Sequence, residues 1–261
     1  MPGAGPKIGH VLAAVVRPTV TLILLLVGLE LLKRGGLLPV FVPAPSQVFN
    51  EIVSSPRLVT GNLGPTAFKA TVGFFIAMGI AVSAGSAAVL LRGLYAPIYN
   101  TSVTLNSIPI IATAPLLALW LGTGPQVQIV IATLACQFSM LVGTVQGLQA
   151  TDARQRELMH VLSASRFQTL RYLLIPSAVP YLFAGFKIAA PAAVLGAVTA
   201  EWAGAERGLG AMMLYALFSY DTPKVWLSVL LTCLLAAGGY GIVALIEKLV
   251  VRHGREVELA D

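Results

Sequence analysis

Long charge-free apolar runs, rather than the short alternations of a soluble core, set the organisation of this chain. Ala70 to Leu91 is 22 residues without a charge, Gln126 to Leu148 is 23, and Val225 to Ile246 is 22. A membrane-crossing helix needs about 20 mostly apolar residues. Between Arg92 and Asp152 lie 59 consecutive uncharged residues, too many for one helix. Gly122-Thr123-Gly124-Pro125 interrupts them as a turn signal, so the stretch reads as a hairpin of two spans. The pattern predicts six spans, at about 12–32, 70–91, 96–121, 126–148, 178–200 and 225–246. The first holds Arg17 near its start. A cleaved signal peptide is the alternative there, but no small-x-small cleavage site follows Thr19–Leu29.

Composition agrees with an all-α membrane protein. Of the 261 residues, 57% are hydrophobic and 11% charged, with a mean hydropathy of +0.84. Soluble domains carry roughly 25% charged residues, and disorder needs low hydropathy and high charge, so both classes are excluded. Six spans put both ends on one side. With the N-terminus inside, the inner segments hold ten Lys and Arg (Lys7, Arg17, Arg92, Arg154, Arg156, Arg166, Arg171, Lys248, Arg252, Arg255) and the outer ones six (Lys33, Arg34, Arg57, Lys69, Arg207, Lys224). The positive-inside rule therefore selects N-in and C-in. The formal net charge of +6 reads as topology and attraction to membrane lipid headgroups. No basic, aromatic-interleaved cluster points to nucleic acid.

Catalytic and metal chemistry find no foothold. There is no Gly-Lys dipeptide, hence no phosphate-cradling ATPase loop, and His10, His160 and His253 stand far apart with no second ligand beside them. Cys136 and Cys233 fall inside spans four and six and read as small packing residues. No paired carboxylates occur inside the spans, and none lies near the midplane where coupled carriers need acidic residues; Glu30 and Glu201 fall at span ends.

The segment from about Gln149 to Ser177 is long for a connector and holds four arginines. Asp152 with Gln155, and Ser165 with Gln168, each have capping-box spacing. Pro176 is expected to stop or kink the second helix. The prediction is a helix-turn-helix elbow turning near Ser163-Ala164-Ser165. Val161, Leu162, Phe167, Leu170 and Leu174 give it an apolar side that wants a membrane interface or a partner's groove.

Glu157 to Pro180, ELMHVLSASRFQTLRYLLIPSAVP, resembles the EAA loop of ABC importer permeases. Glu157 stands at the family's glutamate, Leu158 and Met159 at its two alanines, Ser163 at its glycine and Pro176 at its proline. Asn106–Gly124, Ala200–Met213 and Leu38–Phe49 resemble further stretches of the nitrate/sulfonate/taurine-type subfamily. Departures are the bulkier Leu158 and Met159, the Ser163 in place of glycine, and Phe138-Ser139 where the family has Phe-Pro; they suggest a co-adapted ATPase.

The resemblance implies a type I ABC importer permease fold in a bacterial inner membrane, working as a pair of permeases. ATP and Mg would be bound by a separate cytoplasmic ATPase, and no cofactor by this chain. A periplasmic or lipid-anchored binding protein would deliver the solute. Leu162, Ser163, Ala164 and Ser165 would form the tip seated in the ATPase, with Glu157 reaching a basic ATPase residue and Arg166 flanking. Span five would line the path, making Lys187, Ala189, Ala193, Ala197 and Glu201 candidate lining residues. Small residues every four positions (Gly185, Ala189, Ala193, Ala197; Ala77, Ala81, Gly85) equally serve close helix packing. Lys187 either snorkels to the interface or attracts an anionic solute such as nitrate, a sulfonate or a carboxylate. Vitamin precursors and aromatic acids complete the solute classes of the subfamily. Trp202 and Gly208-Leu209-Gly210 read as an interfacial anchor or part of an outer gate. The alternatives are a stand-alone secondary transporter and a non-transporting scaffold.

Overall fold

The computed structural model describes residues 8–91 and 93–258. Lys7 and Arg92, and the side chains of His10, Arg166, Arg252, His253 and Arg255, lie outside the described residues. All regular structure among the described residues is helical. The long helices are α1 (Ile8–Arg34), α3 (Pro56–Leu90), α6 (Pro125–Gln149), α9 (Ile175–Glu201) and α11 (Thr222–Glu258), and the shorter ones are α2 (Pro45–Ser54), α4 (Tyr95–Ser107), α5 (Ile110–Leu121), α7 (Ala153–Val161), α8 (Arg166–Thr169) and α10 (Leu209–Phe218). Four are long and apolar enough to cross a membrane: Pro56–Leu90, Pro125–Gln149, Phe167–Glu201 and Thr222–Val251; α4 with α5 makes a fifth if the pair is one span.

That pair corrects the expectation of one continuous span over 96–121. The chain bends by 96° between Ser107 and Ile110. Pro109 lacks an N–H to continue the ladder and forces the residue before it out of the helical region; Ile108 sits at φ −74°, ψ 127°. The turn over Gly122–Pro125 forms as expected, with Gly122 at φ 80° and Pro125 opening α6.

Helix α9 is the centre of the bundle, packed on α6, α3, α11 and α10. Its small-residue ridge explains how. Ala189, Ala193 and Ala197 are completely buried, together with Ala77 and Ala81 of α3 and Ala132, Cys136 and Met140 of α6. A Cβ on Gly185 would lie 2.7 Å from the Ser139 carbonyl oxygen, and one on Gly143 would lie 3.2 Å from the Gly185 Cα. Only hydrogen fits at that crossing. Apolar helices gain nothing by hiding from lipid, so this close van der Waals contact is what holds them together. The burial places Ala189, Ala193 and Ala197, expected to line a path, at a helix crossing. They are at most 1% exposed within the chain and pack against their neighbours. Cys136 packs as expected, whereas Cys233 lies exposed on α11; both thiols are free.

Pro176 neither stops nor breaks its helix. Leu170–Leu174 forms a π-helical turn in which the Ile175 N–H reaches back to the Leu170 carbonyl. The extra residue in this turn accommodates the proline that follows. One helical rod therefore runs from Phe167 to Glu201, starting well before the expected Ala178.

Candidate functional site

At one end of that rod stands the elbow. Helix α7 opens at Asp152, whose Oδ1 accepts from the Arg154 N–H at 3.2 Å; Gln155 makes no return bond. At the second start the capping box is complete. The Ser165 N–H donates to Gln168 Oε1 at 2.7 Å, and Ser165 Oγ accepts from the Gln168 N–H at 3.2 Å. Between them, the Ala164 N–H donates to the Met159 carbonyl and the Ser163 N–H to the His160 carbonyl. Ser163 is left-handed at φ 53°. This is the paired-bond helix stop that normally takes glycine, formed here by serine at the position where the family has glycine. Arg156 Nη2 donates to the Leu148 carbonyl at 3.1 Å, tying α7 to an otherwise open carbonyl at the end of α6.

The apolar side of the elbow divides in two. Leu170 and Leu174 pack with Leu148 and Ala178. Val161 (74% exposed), Phe167 (67%), Leu158 and Leu162 are bare. Glu157 is exposed and has no partner among the described residues. Ser163 and Ser165 are exposed and Ala164 is half-buried, all at the turn.

At the other end of the rod, Glu201 is 1% exposed. Its Oε1 accepts from Lys69 Nζ and from Thr66 Oγ1, each at 2.7 Å, and its Oε2 accepts from the Gly210 N–H at 2.7 Å. Lys69, expected in an outer segment, is instead 4% exposed on the inner face of α3, because Pro65 does not end that helix. Its ammonium also donates to the Arg207 carbonyl at 3.1 Å. Thr66 Oγ1 accepts from the Leu209 N–H at 2.8 Å, and Asn62 Oδ1 accepts from the Gly208 N–H at 3.0 Å. The loop entering α10 is thus held residue by residue. Gly208 has φ 139°, and a Cβ on it would land inside the Glu201 carboxylate. Above the network, Arg57, Asn62, Glu206, Arg207, Tyr215 and Lys224 surround a cavity of about 630 Å³.

Glu201 is therefore not a free carboxylate. Lys187 is not a free cation either: its Nζ pairs with Glu247 Oε2 of α11 at 2.7 Å, both side chains about one-quarter exposed. The pair gives Lys187 a partner that snorkelling and anion attraction both lack. Sequence reasoning missed Lys69, Thr66 and Asn62. Their shared spacing along α3 could have raised them, but their partners Glu201 and Gly208 lie more than 130 positions away.

The bundle and its elbow define a polytopic transport subunit. The chain belongs to the family of binding-protein-dependent transport system inner membrane components, whose model matches residues 78–252. It is similar to the formylaminopyrimidine transport permease protein of Halalkalibacterium halodurans, 27% identical over 235 residues, covering 90% of this chain and 94% of that protein. It is also similar to the riboflavin transport system permease protein of Chloroflexus aurantiacus, 33% identical over 147 residues, covering 56% of this chain and 55% of that protein. Among solved structures, the MetNI methionine ABC transporter in an inward-facing conformation shares the fold with a TM-score of 0.61. That alignment is 21% identical and covers 74% of this chain and 98% of the other. The chain is a multi-pass inner-membrane permease of the ABC type, and the resemblance carried by Glu157–Pro180 holds.

Proposed function

We propose that this permease works as one of a pair, each joined to a cytoplasmic ABC ATPase and served by a solute-binding protein outside. Helix α1 supplies the sixth span, and both chain ends face the cytoplasm with the elbow. The observation carrying this reading is a bare apolar turn at the root of a single helical rod that reaches the far side of the bundle. Val161, Leu162 and Phe167 offer a partner apolar contact, and Glu157 offers it an unpaired carboxylate. When the ATPase moves the tip, Leu162–Ser165 with Arg166 alongside, the rod carries that motion to Glu201 and the α10 loop. The π-turn is the joint through which it passes. This chain then needs no cofactor of its own, because ATP and Mg belong to the ATPase.

The solute is small, and much of its selection falls to the binding protein. The relatives named for formylaminopyrimidine and riboflavin support a small organic solute over an inorganic anion. The Lys187–Glu247 pair agrees, since the charge of Lys187 is already matched. A Lys187→Ala variant that loses uptake of an anion but keeps that of a neutral pyrimidine would reverse this preference.

The test is the mass of the intact complex taken from its own membrane in mild detergent. Two permeases with two ATPase chains is the expected result. A permease without ATPase after cross-linking would overturn the reading in favour of a secondary transporter or scaffold. ATP dependence of uptake in vesicles separates the importer from a secondary transporter, and any solute flux separates both from a scaffold.

A further inference from the structure

The connection from α1 to α3 carries no charge from Gly35 to Asn50, although it lies outside the long helices. Several of its large side chains are not folded inward. Leu37, Val40 (88% exposed), Phe41, Phe49 (66%) and Val53 are all bare. In water that would be an exposed apolar patch of the kind that marks a binding surface. Two observations say what covers it.

The first is depth. Trp226 Nε1 donates to the Phe41 carbonyl at 3.3 Å. Trp226 stands one turn inside α11, where its apolar run begins after Lys224, and Trp at a span end marks the boundary between headgroups and hydrocarbon. The loop is therefore fastened at that boundary. Further along α11, Val229 and Leu230 are exposed as well. Lys33 Nζ donates to the Pro39 carbonyl at 2.9 Å, which holds the same loop against the basic end of α1.

The second is the division of helix α2. At about 100° per residue, Pro45, Val48 and Ile52 share one side, and Val48 and Ile52 pack against the bundle core. Phe49 and Val53 fall on the adjoining side and stay bare. Ser46, Gln47, Asn50, Glu51 and Ser54 fill the remainder. The apolar arc spans about 140°, and the bundle covers only half of it. A helix with one apolar edge on protein, the other unpartnered and a polar back is built to lie flat at a membrane surface.

We propose that α2 and the Leu37–Phe41 loop lie in the interface of the bilayer leaflet at the Glu201 end, with Phe41, Phe49 and Val53 among the upper acyl chains. They act as a lipid-bound collar beside the cavity mouth. The occupant of this surface is phospholipid, not a second protein. The claim rests on α11 crossing the membrane and is independent of which side is cytoplasmic or of any ATPase.

Single cysteines at Phe49, Val53, Asn50 and Leu230, placed in the full chain carrying Cys233→Ala, test it. Each is labelled with bimane and reconstituted in phosphatidylcholine and phosphatidylglycerol vesicles. Bromines sit high on some of the acyl chains. Bimane at Phe49→Cys and Val53→Cys is expected to lose as much fluorescence to bromolipid as at the lipid-facing reference Leu230→Cys. At Asn50→Cys, aqueous iodide should quench instead. Iodide quenching of Phe49→Cys and Val53→Cys equal to that of Asn50→Cys, without bromolipid loss, would overturn the proposal. So would protection from both quenchers, or cross-linking between copies through Phe49→Cys, because a protein would then cover the surface.

Discussion

At the Glu201 end of the long rod, a buried carboxylate receives three donors from the same chain. At the Phe167 end, the rod emerges with Phe167, Val161 and Leu162 bare and Glu157 unpaired. One helix thus joins a region whose buried carboxylate and ammonium are paired within the chain to a region whose apolar groups are bare. The contrast identifies which end was built to hold still and which to meet something else. A buried ion pair this complete contributes conformational definition more than net stability, since desolvation offsets much of the attraction. An exposed apolar turn adds nothing to the stability of the isolated chain.

The contrast can be broken first at the closed end. Glu201→Gln leaves the Lys69 ammonium buried without its counter-charge and should cost about 3–5 kcal/mol. The loss would be read as lower yield and thermal stability in detergent. Adding Lys69→Met to Glu201→Gln should recover most of it, because the pair then leaves together; no recovery would mean that the charges are not coupled. Gly208→Ala comes next. It places a methyl in the Glu201 carboxylate and strains a residue at φ 139°, which should cost about 1–3 kcal/mol by the same assay.

At the open end the expected effects on folding are small. Glu157→Lys should leave insertion and thermal stability within about 0.5 kcal/mol of the parent chain, as for an exposed site, while abolishing ATP-driven uptake. Normal uptake by that variant would remove Glu157 from the coupling surface. The smallest effect is Ser163→Gly. It relieves a left-handed serine at φ 53° against the larger backbone freedom of glycine, for a gain of about 0.5 kcal/mol. Slower hydrogen exchange at Ser163 and Ala164 would report it, and faster exchange would contradict the assigned turn.

Local signals were legible wherever a few neighbouring residues decide the outcome. Ser165 and Gln168 form their box, Gly122–Pro125 turns, and the long apolar runs become helices. The glutamate, serine and proline of the elbow motif could be read with their spacing because that motif is contiguous. Proline was read less well. Pro176, Pro65 and Pro109 look alike in sequence, yet a π-turn absorbs the first, α3 continues through the second, and the third coincides with a 96° bend. The packing around each proline decides whether the missing hydrogen bond is tolerated.

The sequence by itself determined the membrane class, the helical content and the family, because hydrophobic run length and a contiguous motif depend only on order along the chain. Only the tertiary structure decided which charges are free. Lys69 meets Glu201 across 132 positions and Lys187 meets Glu247 across 60. The same packing places the small-residue ridge of span five at a helix crossing. Burial and pairing depend on distance in space, and in a bundle of crossing helices that distance is set by which small residues let two backbones touch.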